Sequence, residues 1–371
     1  MRVLIVAGEA SGDAHAAKVA RHLIDRGARV AAVGGAALRD TGATSIASID
    51  ELAVIGFVEV AQRLPRLLAL LRQLEKRLRA GEFDLALTVD YPGFNLRLAA
   101  RAQRAGVPVL HYIGPQVWAW RAHRLQVLRR VATHVALVLP FEKPLYDAAG
   151  VAATYVGHPL LDDPDPPHAP DRDLGLFPGS RTQEIRRHLP LLLDAWERIR
   201  AQRPQTTLWV SQANTAPEAM MRDLLRGRGL DPDACLSPSP ARVVMARSRA
   251  LLVASGTATL EAALASRPFA VFYRTHPFNY ALARRLVQVP HVALANLVAG
   301  EAVVREYVQG AATPAALATE ALRLIEDQAE RARQTIAWRE VRQRLGPAGA
   351  SERVAALAVT LGRGIAPGER S

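Results

Sequence analysis

Phe177-Pro178-Gly179-Ser180-Arg181-Thr182-Gln183-Glu184 decides how the rest of this chain is read. It follows the short apolar run Leu174, Leu176 and Phe177 and leads into a helical stretch from Arg181 to Arg203. The implied order is strand, tight turn, helix start. A helix start carries unpaired backbone N–H groups and the positive end of the macrodipole, so it favours an anion. Gly179 lets the backbone come close to a ligand, Ser180 offers a hydroxyl as N-cap, and Arg181 offers a planar fork suited to phosphate. The Gly-Lys-Ser/Thr ending of a Walker A loop is missing. An ordinary capped helix shows the same residues, so other parts of the chain have to decide.

Working outward, the chain has 371 residues, enough for two domains with substantial cores. Its 47 Lys and Arg against 35 Asp and Glu leave a formal net charge of +12. Lys18, Lys76 and Lys143 are the only lysines, so the positive charge is nearly all arginine. That balance favours anionic partners, and no block of like charge or aromatic-basic repeat resembles a nucleic-acid module. A phosphate ligand or a lipid surface is the expectation. Cys235 is the only cysteine, which excludes an internal disulfide and a thiolate-rich metal site. The apolar run Val3–Ala7 is too short for a signal segment, and no stretch is apolar for long enough to span a bilayer. Action in the cytoplasm, or on its membrane face, is expected.

Before Phe177, strand and helix signals alternate. Val3–Ala7, Val30–Val33, Leu85–Val89, Val107–Ile113 and Val135–Leu139 are short apolar runs bounded by turn or helix signals. Asp13 is a candidate cap for a helix over Ala14–Arg26. After Phe177 a second series follows: Leu208–Gln212, Leu251–Ala254 and Phe269–Tyr273. Alternation of this kind implies parallel sheets covered by helices, with ligands off the carboxyl ends of the strands. Ser11, Asp13, Asp90 and Gly114 fall at such ends. Residues 161–172 are dense in proline and aspartate and read as the linker between two α/β halves. Asp163-Pro164-Asp165 has the look of a metal-binding pair, but its proline-bound linker setting speaks against metal. The tail from Gly362 to Ser371 reads as disordered.

One helical stretch, about Gly56 to Arg79, carries a leucine stripe at Leu64, Leu67, Leu68, Leu71, Leu74 and Leu78. Arg63, Arg66, Arg72, Lys76, Arg77 and Arg79 lie mostly off that stripe. A basic amphipathic helix can rest on a membrane, and a leucine stripe can equally face the core. Pro65 predicts a kink or restart.

Ser255-Gly256-Thr257-Ala258-Thr259-Leu260-Glu261 repeats the pattern of the first loop: an apolar strand, a Ser-Gly-Thr turn, then a helix. Its N–H groups and hydroxyls suit a phosphate, and Glu261, one turn in, suits a ribose diol; alternatively it is a capping arrangement. Two such loops in one α/β domain point to an anionic, nucleotide-like ligand.

Several stretches together resemble the lipid-A-disaccharide synthase family. They are Ala7–Asp13, Asp90-Tyr91-Pro92-Gly93-Phe94-Asn95, Pro115-Gln116-Val117-Trp118-Ala119-Trp120-Arg121, Pro140-Phe141-Glu142, Gly157-His158-Pro159-Leu160, Pro178–Arg181, Ser255–Glu261 and the pair Asn296 and Gln309. They run in family order from residue 3 to about residue 310, and the Pro-Gln-Val-Trp-Ala-Trp-Arg run is the most specific. The resemblance implies an α/β protein of the GT-B type, two Rossmann-like domains facing each other across a cleft. An acceptor-binding domain would cover residues 1–160, with a C-terminal helix near 346–361 packing back on it, and a UDP-sugar-binding domain residues 173–345. The implied reaction is an inverting transfer of 2,3-diacylglucosamine from UDP to 2,3-diacylglucosamine 1-phosphate (lipid X), without metal or other cofactor, on the inner-membrane surface.

An inverting transfer needs a base at the acceptor hydroxyl and positive charge at the departing diphosphate. Asp90 is the first choice of base, with Asp13 and Glu59 as competitors; an Asx-type turn cap is the plainer reading of Asp90. Arg181, with Gly179, Ser180, Glu184, Ser255, Gly256 and Thr257, would hold UDP, and Glu261 its ribose. Asn296 and Gln309 would line the UDP side, although lone amides also serve as helix-end contacts. Ser11, Glu59, Trp118 and Trp120 would form the acceptor and acyl side, although tryptophans are more often core. His158 reads as part of a hinge turn. The sequence departs from the family pattern at Ala16-Ala17, where a glycine is expected after His15, and at Ala37-Leu38, where a methionine is usual. Both departures lie on the acceptor side. The rival readings are another GT-B enzyme of UDP-N-acetylglucosamine, a peptidoglycan-type transferase or an epimerase, and a non-catalytic nucleotide-binding protein.

Overall fold

The computed structural model describes residues 1–48, 57–119, 122–167, 170–213, 216–276, 280 and 289–365; along the helix Phe57–Arg79 side chains are described from Leu64 on. The chain forms two units, Met1–Asp162 together with the stretch from Gly346, and Asp163–Leu345.

In the first unit the strands are β1 (Arg2–Ala7), β2 (Arg29–Gly34), β3 (Thr44–Ser48), β4 (Leu85–Val89), β5 (Val109–Tyr112), β6 (His134–Leu137) and β7 (Ala153–Tyr155). They lie in the order β3-β2-β1-β4-β5-β6-β7, all parallel. Val3 to Ala7 are fully buried, as expected for a central strand with helices on both faces. Strand order reverses between β1 and β4, where Ala7 pairs with Val89. Loops leaving those two ends diverge, and that crevice is the usual ligand position of a doubly wound sheet.

The second unit repeats the plan with β8 (Arg172–Phe177), β9 (Leu208–Ser211), β10 (Leu236–Ser237), β11 (Ser248–Ala254), β12 (Phe269–Tyr273) and β13 (Glu306–Val308). Their order is β10-β9-β8-β11-β12-β13, again all parallel. Here the reversal falls between β8 and β11, where Phe177 pairs with Val253. The loops beginning at Pro178 and at Ser255 therefore leave neighbouring strand ends.

The helix Phe57–Arg79 runs through Pro65 as one element, so of the kink or restart expected there the restart does not occur. Its leucine stripe divides: Leu71, Leu74 and Leu78 are buried in the core, whereas Leu64 and Leu68 are 47% and 38% exposed. Of the linker stretch, residues 168 and 169 lie outside the described residues. Asp162 accepts the N–H groups of Gly349, Ala350 and Ser351 at 2.7, 2.8 and 2.9 Å, and so caps the helix Ala350–Gly362 of the same unit. Burial alone would raise the Asp162 pKa, but these bonds hold it below its ordinary value. Asp165 pairs with Arg242 at 2.8 Å and also with Arg342, and Asp163 lies 3.9 Å from Arg242. The Asp-Pro-Asp carboxylates thus answer the protein's own arginines. At the C-terminus the N–H groups of Arg363, Gly364 and Ile365 bond back to the last helical turn, and residues 366–371, most of the tail expected to be disordered, lie outside the described residues.

Candidate functional site

In the second unit Gly179 has φ of 111°, a left-handed value that a side chain disfavours. A Cβ there would also meet Glu184 Oε2 at 2.6 Å. That oxygen lies 3.3 and 3.4 Å from the N–H groups of Ser180 and Arg181, while Oε1 lies 3.2 Å from the Arg181 guanidinium. The N-cap is consequently Arg181, not Ser180, and the cap is the Glu184 carboxylate reaching back from the third helical position. Arg181 itself is 59% exposed at the mouth of the loop.

At the neighbouring strand end Ser255 donates its hydroxyl to the Val292 carbonyl at 2.7 Å. Gly256 has open space where a Cβ would stand, and Thr257 is exposed. Thr259, unremarked in the sequence, donates to the Gly256 carbonyl at 2.8 Å and steadies the turn. Glu261 is partly buried one turn further on, its carboxyl pushed up to about 7 by burial; Arg242 opposes that shift and Asp163 adds to it.

The expected amides divide. Asn296 is fully buried: its Nδ2 donates to Val304 O at 3.0 Å and Glu306 Oε1 at 2.8 Å, and its Oδ1 accepts from Val304 N at 3.0 Å. That amide binds the Val304 backbone and the Glu306 carboxylate. Glu306, which sequence reading missed, accepts the N–H groups of Val292 and Ala293 at 2.9 and 3.0 Å. Gln309 differs. It sits at φ of 53°, its Oε1 lies 3.4 Å from the Thr275 N–H, and its buried Nε2 has no partner among the described residues.

In the first unit Asp90 and Tyr91 both have φ of 45°, an uncommon pair outside glycine. Buried Asn95 holds them there, with Nδ2 donating to Val89 O at 3.0 Å and Asp90 O at 2.7 Å. The Tyr91 ring packs over Gly8, where a Cβ would come within 2.3 Å of it, so the loops after β1 and β4 close on each other only because residue 8 is glycine. Asp90 is half-buried at this crevice.

Asp13 behaves differently. Its helix begins at Ala10, so it lies inside the first turn and does not cap that helix. It is buried, and it accepts Gly35 N–H at 2.6 Å and Ala37 N–H at 3.0 Å, capping the short helix Ala36–Arg39 instead. The Ala37 departure from the family pattern thus lies on this cap. Ser11 is exposed on the first turn of its helix. Trp118 is half-buried; its Nε1 donates to Glu142 Oε1 at 3.2 Å and its ring meets Phe141 edge-on at 5.3 Å. Glu142 is buried, also accepts Leu139 N–H at 3.1 Å, and has its carboxyl pushed up to about 7 by burial. His158 caps the Pro159–Leu161 turn, its Nδ1 accepting Leu160 N–H at 3.2 Å. Trp120 and the side chain of Glu59 lie outside the described residues.

Solved structures share this fold. The UDP complex of S. aureus MnaA aligns with a TM-score of 0.68 at 13% identity, covering 100% of this chain and 99% of that one. Acinetobacter baumannii MurG aligns with a TM-score of 0.56 at 16% identity, covering 97% and 99%. Two parallel doubly wound units define the GT-B class of glycosyltransferases and related epimerases. Within that class sequence is more specific: the lipid-A-disaccharide synthetase family model matches residues 3–359. A lipid-A-disaccharide synthase from Anaeromyxobacter dehalogenans (strain 2CP-1) is 42% identical over 368 residues, covering 95% of this chain and 96% of the relative. One from Nitrosococcus oceani is 39% identical over 373 residues, covering 97% and 96%. The chain belongs to the lipid-A-disaccharide synthetase family. It is a glycosyltransferase of lipid A biosynthesis, forming the lipid A disaccharide.

Proposed function

We propose that the chain transfers 2,3-diacylglucosamine from its UDP derivative to the 6-hydroxyl of 2,3-diacylglucosamine 1-phosphate, with inversion, releasing UDP. The observation that carries this reading is the pair of loops at the β8/β11 reversal, each offering backbone N–H groups and one offering exposed Arg181. The diphosphate would take the Arg181 guanidinium and the turn N–H groups, which stabilise negative charge as it develops on the leaving group. To do so it would displace the Glu184 carboxylate that accepts the turn N–H groups. Glu261 would meet the ribose diol, and Gln309 Nε2, which has no partner among the described residues, would donate to the nucleotide. Asp90 is the proposed base: it sits at the other unit's reversal, on a backbone whose strain is maintained by Asn95. Asp13 is less suited, because both its oxygens already accept backbone N–H groups. Ser11 and Trp118 would stand on the acceptor side.

The test is direct. Protein supplied with UDP-diacylglucosamine and lipid X should yield disaccharide 1-phosphate and UDP. Turnover of plain UDP-N-acetylglucosamine, with no product from the diacylated donor, would favour the epimerase or peptidoglycan-type reading.

The same reading places the protein on an anionic membrane surface. Among the described residues no helix is long and apolar enough to cross a membrane. Leu64 and Leu68 are exposed on a helix that also carries exposed Arg66, Arg72, Lys76 and Arg79, an arrangement suited to an interfacial contact. Replacing Leu64 and Leu68 by Glu should lower co-sedimentation with anionic liposomes while leaving the melting temperature unchanged. Undiminished liposome binding would return these leucines to ordinary surface.

A further inference from the structure

His188 has no role in the reading above, yet it touches two of the segments that the site is built from. It lies on the helix Thr182–Gln202, fully buried, four residues and so one turn beyond Glu184. Its Nδ1 is 2.8 Å from the Pro178 carbonyl, the acceptor immediately before Gly179. Its Nε2 is 3.2 Å from the Arg274 N–H and 2.9 Å from the Arg274 carbonyl, at the end of β12. The tautomer protonated on Nδ1 donates to Pro178 and accepts from the Arg274 N–H, whereas a ring protonated on Nε2 donates to the Arg274 carbonyl. Phe272 meets the ring edge-on at 5.1 Å and fixes its plane. Arg274 in turn lies 3.4 Å, through Nε, from the Gln309 carbonyl.

The Pro178–Arg181 turn is therefore gripped from both sides by one helix. Glu184 holds its N–H groups and His188 holds its carbonyl. The two grips are not equivalent. A carboxylate on exposed N–H groups can be exchanged for another anion; a buried imidazole bonded to a carbonyl cannot. We propose that His188 is a positioning residue for the sugar-nucleotide donor: it keeps the Gly179 turn in its anion-binding shape when the diphosphate takes the place of Glu184, and ties that turn to Arg274 and Gln309. The proposal rests on the reading of this turn as the diphosphate site.

The experiment measures UDP affinity by calorimetry, and the KM of donor and of acceptor, for wild type, His188→Phe, His188→Asn and His188→Gln. Phe keeps the ring and removes both bonds; Asn can replace the Nδ1 donor to Pro178, and Gln reaches only the Arg274 side. His188→Phe should weaken UDP binding and raise donor KM about tenfold, as expected for the loss of a buried bonded pair. His188→Asn should recover most of that loss and His188→Gln little, with acceptor KM constant throughout. Equal donor KM in wild type and His188→Phe overturns the proposal, as does an equal loss in the Asn, Gln and Phe variants. Should His188→Phe fail to fold, the Asn and Gln variants decide, because the proposal requires them to differ. Wild-type protein that binds no UDP overturns the donor site and the grip with it; binding by wild type with no difference among the variants overturns the grip alone.

Discussion

The two sheets have the same strand order around their reversals, yet the loops at those reversals are built for opposite tasks. After β8 the chain exposes a guanidinium beside a glycine turn whose N–H groups a neighbouring carboxylate accepts, and after β11 a second glycine turn follows. After β1 and β4 it buries Asp13 against two N–H groups and holds Asp90 and Tyr91 in left-handed backbone. One crevice presents positive charge for an anion to claim. The other presents a carboxylate on a strained, well-anchored corner. Topology puts a crevice at the reversal in both units, and under the proposed function the side chains at each corner set its chemistry.

The sharpest way to break this comparison is to remove the charge at the strained corner. Asp90→Asn keeps the side chain's size and removes its charge, and should lower kcat about a thousandfold, in the range of a lost general base, with donor KM and melting temperature little changed. Asp13→Asn should do the reverse, lowering the melting temperature while leaving measurable turnover, because an amide can cap only one of the two N–H groups. If Asp13→Asn abolishes turnover in a folded protein and Asp90→Asn does not, the base has been assigned to the wrong carboxylate.

At the other corner Arg181→Ala should lower kcat/KM for the donor about a hundredfold and leave acceptor KM unchanged. Near-normal turnover in steady-state assays would take Arg181 out of the site. The smallest effect is expected from Glu184→Gln, which retains a cap acceptor but removes a negative charge beside the proposed diphosphate. UDP affinity should rise by about twofold to fivefold, since an anion no longer competes with an anion. A fall in affinity would instead make Glu184 a direct nucleotide contact.

The strands show where sequence reading succeeds. The nine apolar runs read from the sequence correspond to interior strands, whose residues are mostly buried and mostly apolar. The four strands it did not find, Thr44–Ser48, Ala153–Tyr155, Leu236–Ser237 and Glu306–Val308, are the four sheet edges. An edge strand has one neighbour and is short, so its residues need not form an apolar run. The leucine stripe shows the same limit, since spacing alone does not separate core Leu71 from exposed Leu68.

By itself the sequence determined the alternation of strands and helices, the parallel doubly wound class, both glycine turns after β8 and β11, and the family. Those features rest on local pattern: continuous apolar runs, turn residues at fixed offsets, and motifs that stay contiguous. Only the tertiary structure decided which polar groups are already spent. Asp13 is taken up by Gly35 and Ala37, Asn296 by Val304 and Glu306, and the N–H groups of the Pro178–Arg181 turn by Glu184. It also decided that His188 reaches Arg274, 86 positions away along the chain. A hydrogen bond depends on where two atoms lie in space, and the spacing of residues along a chain does not carry that information.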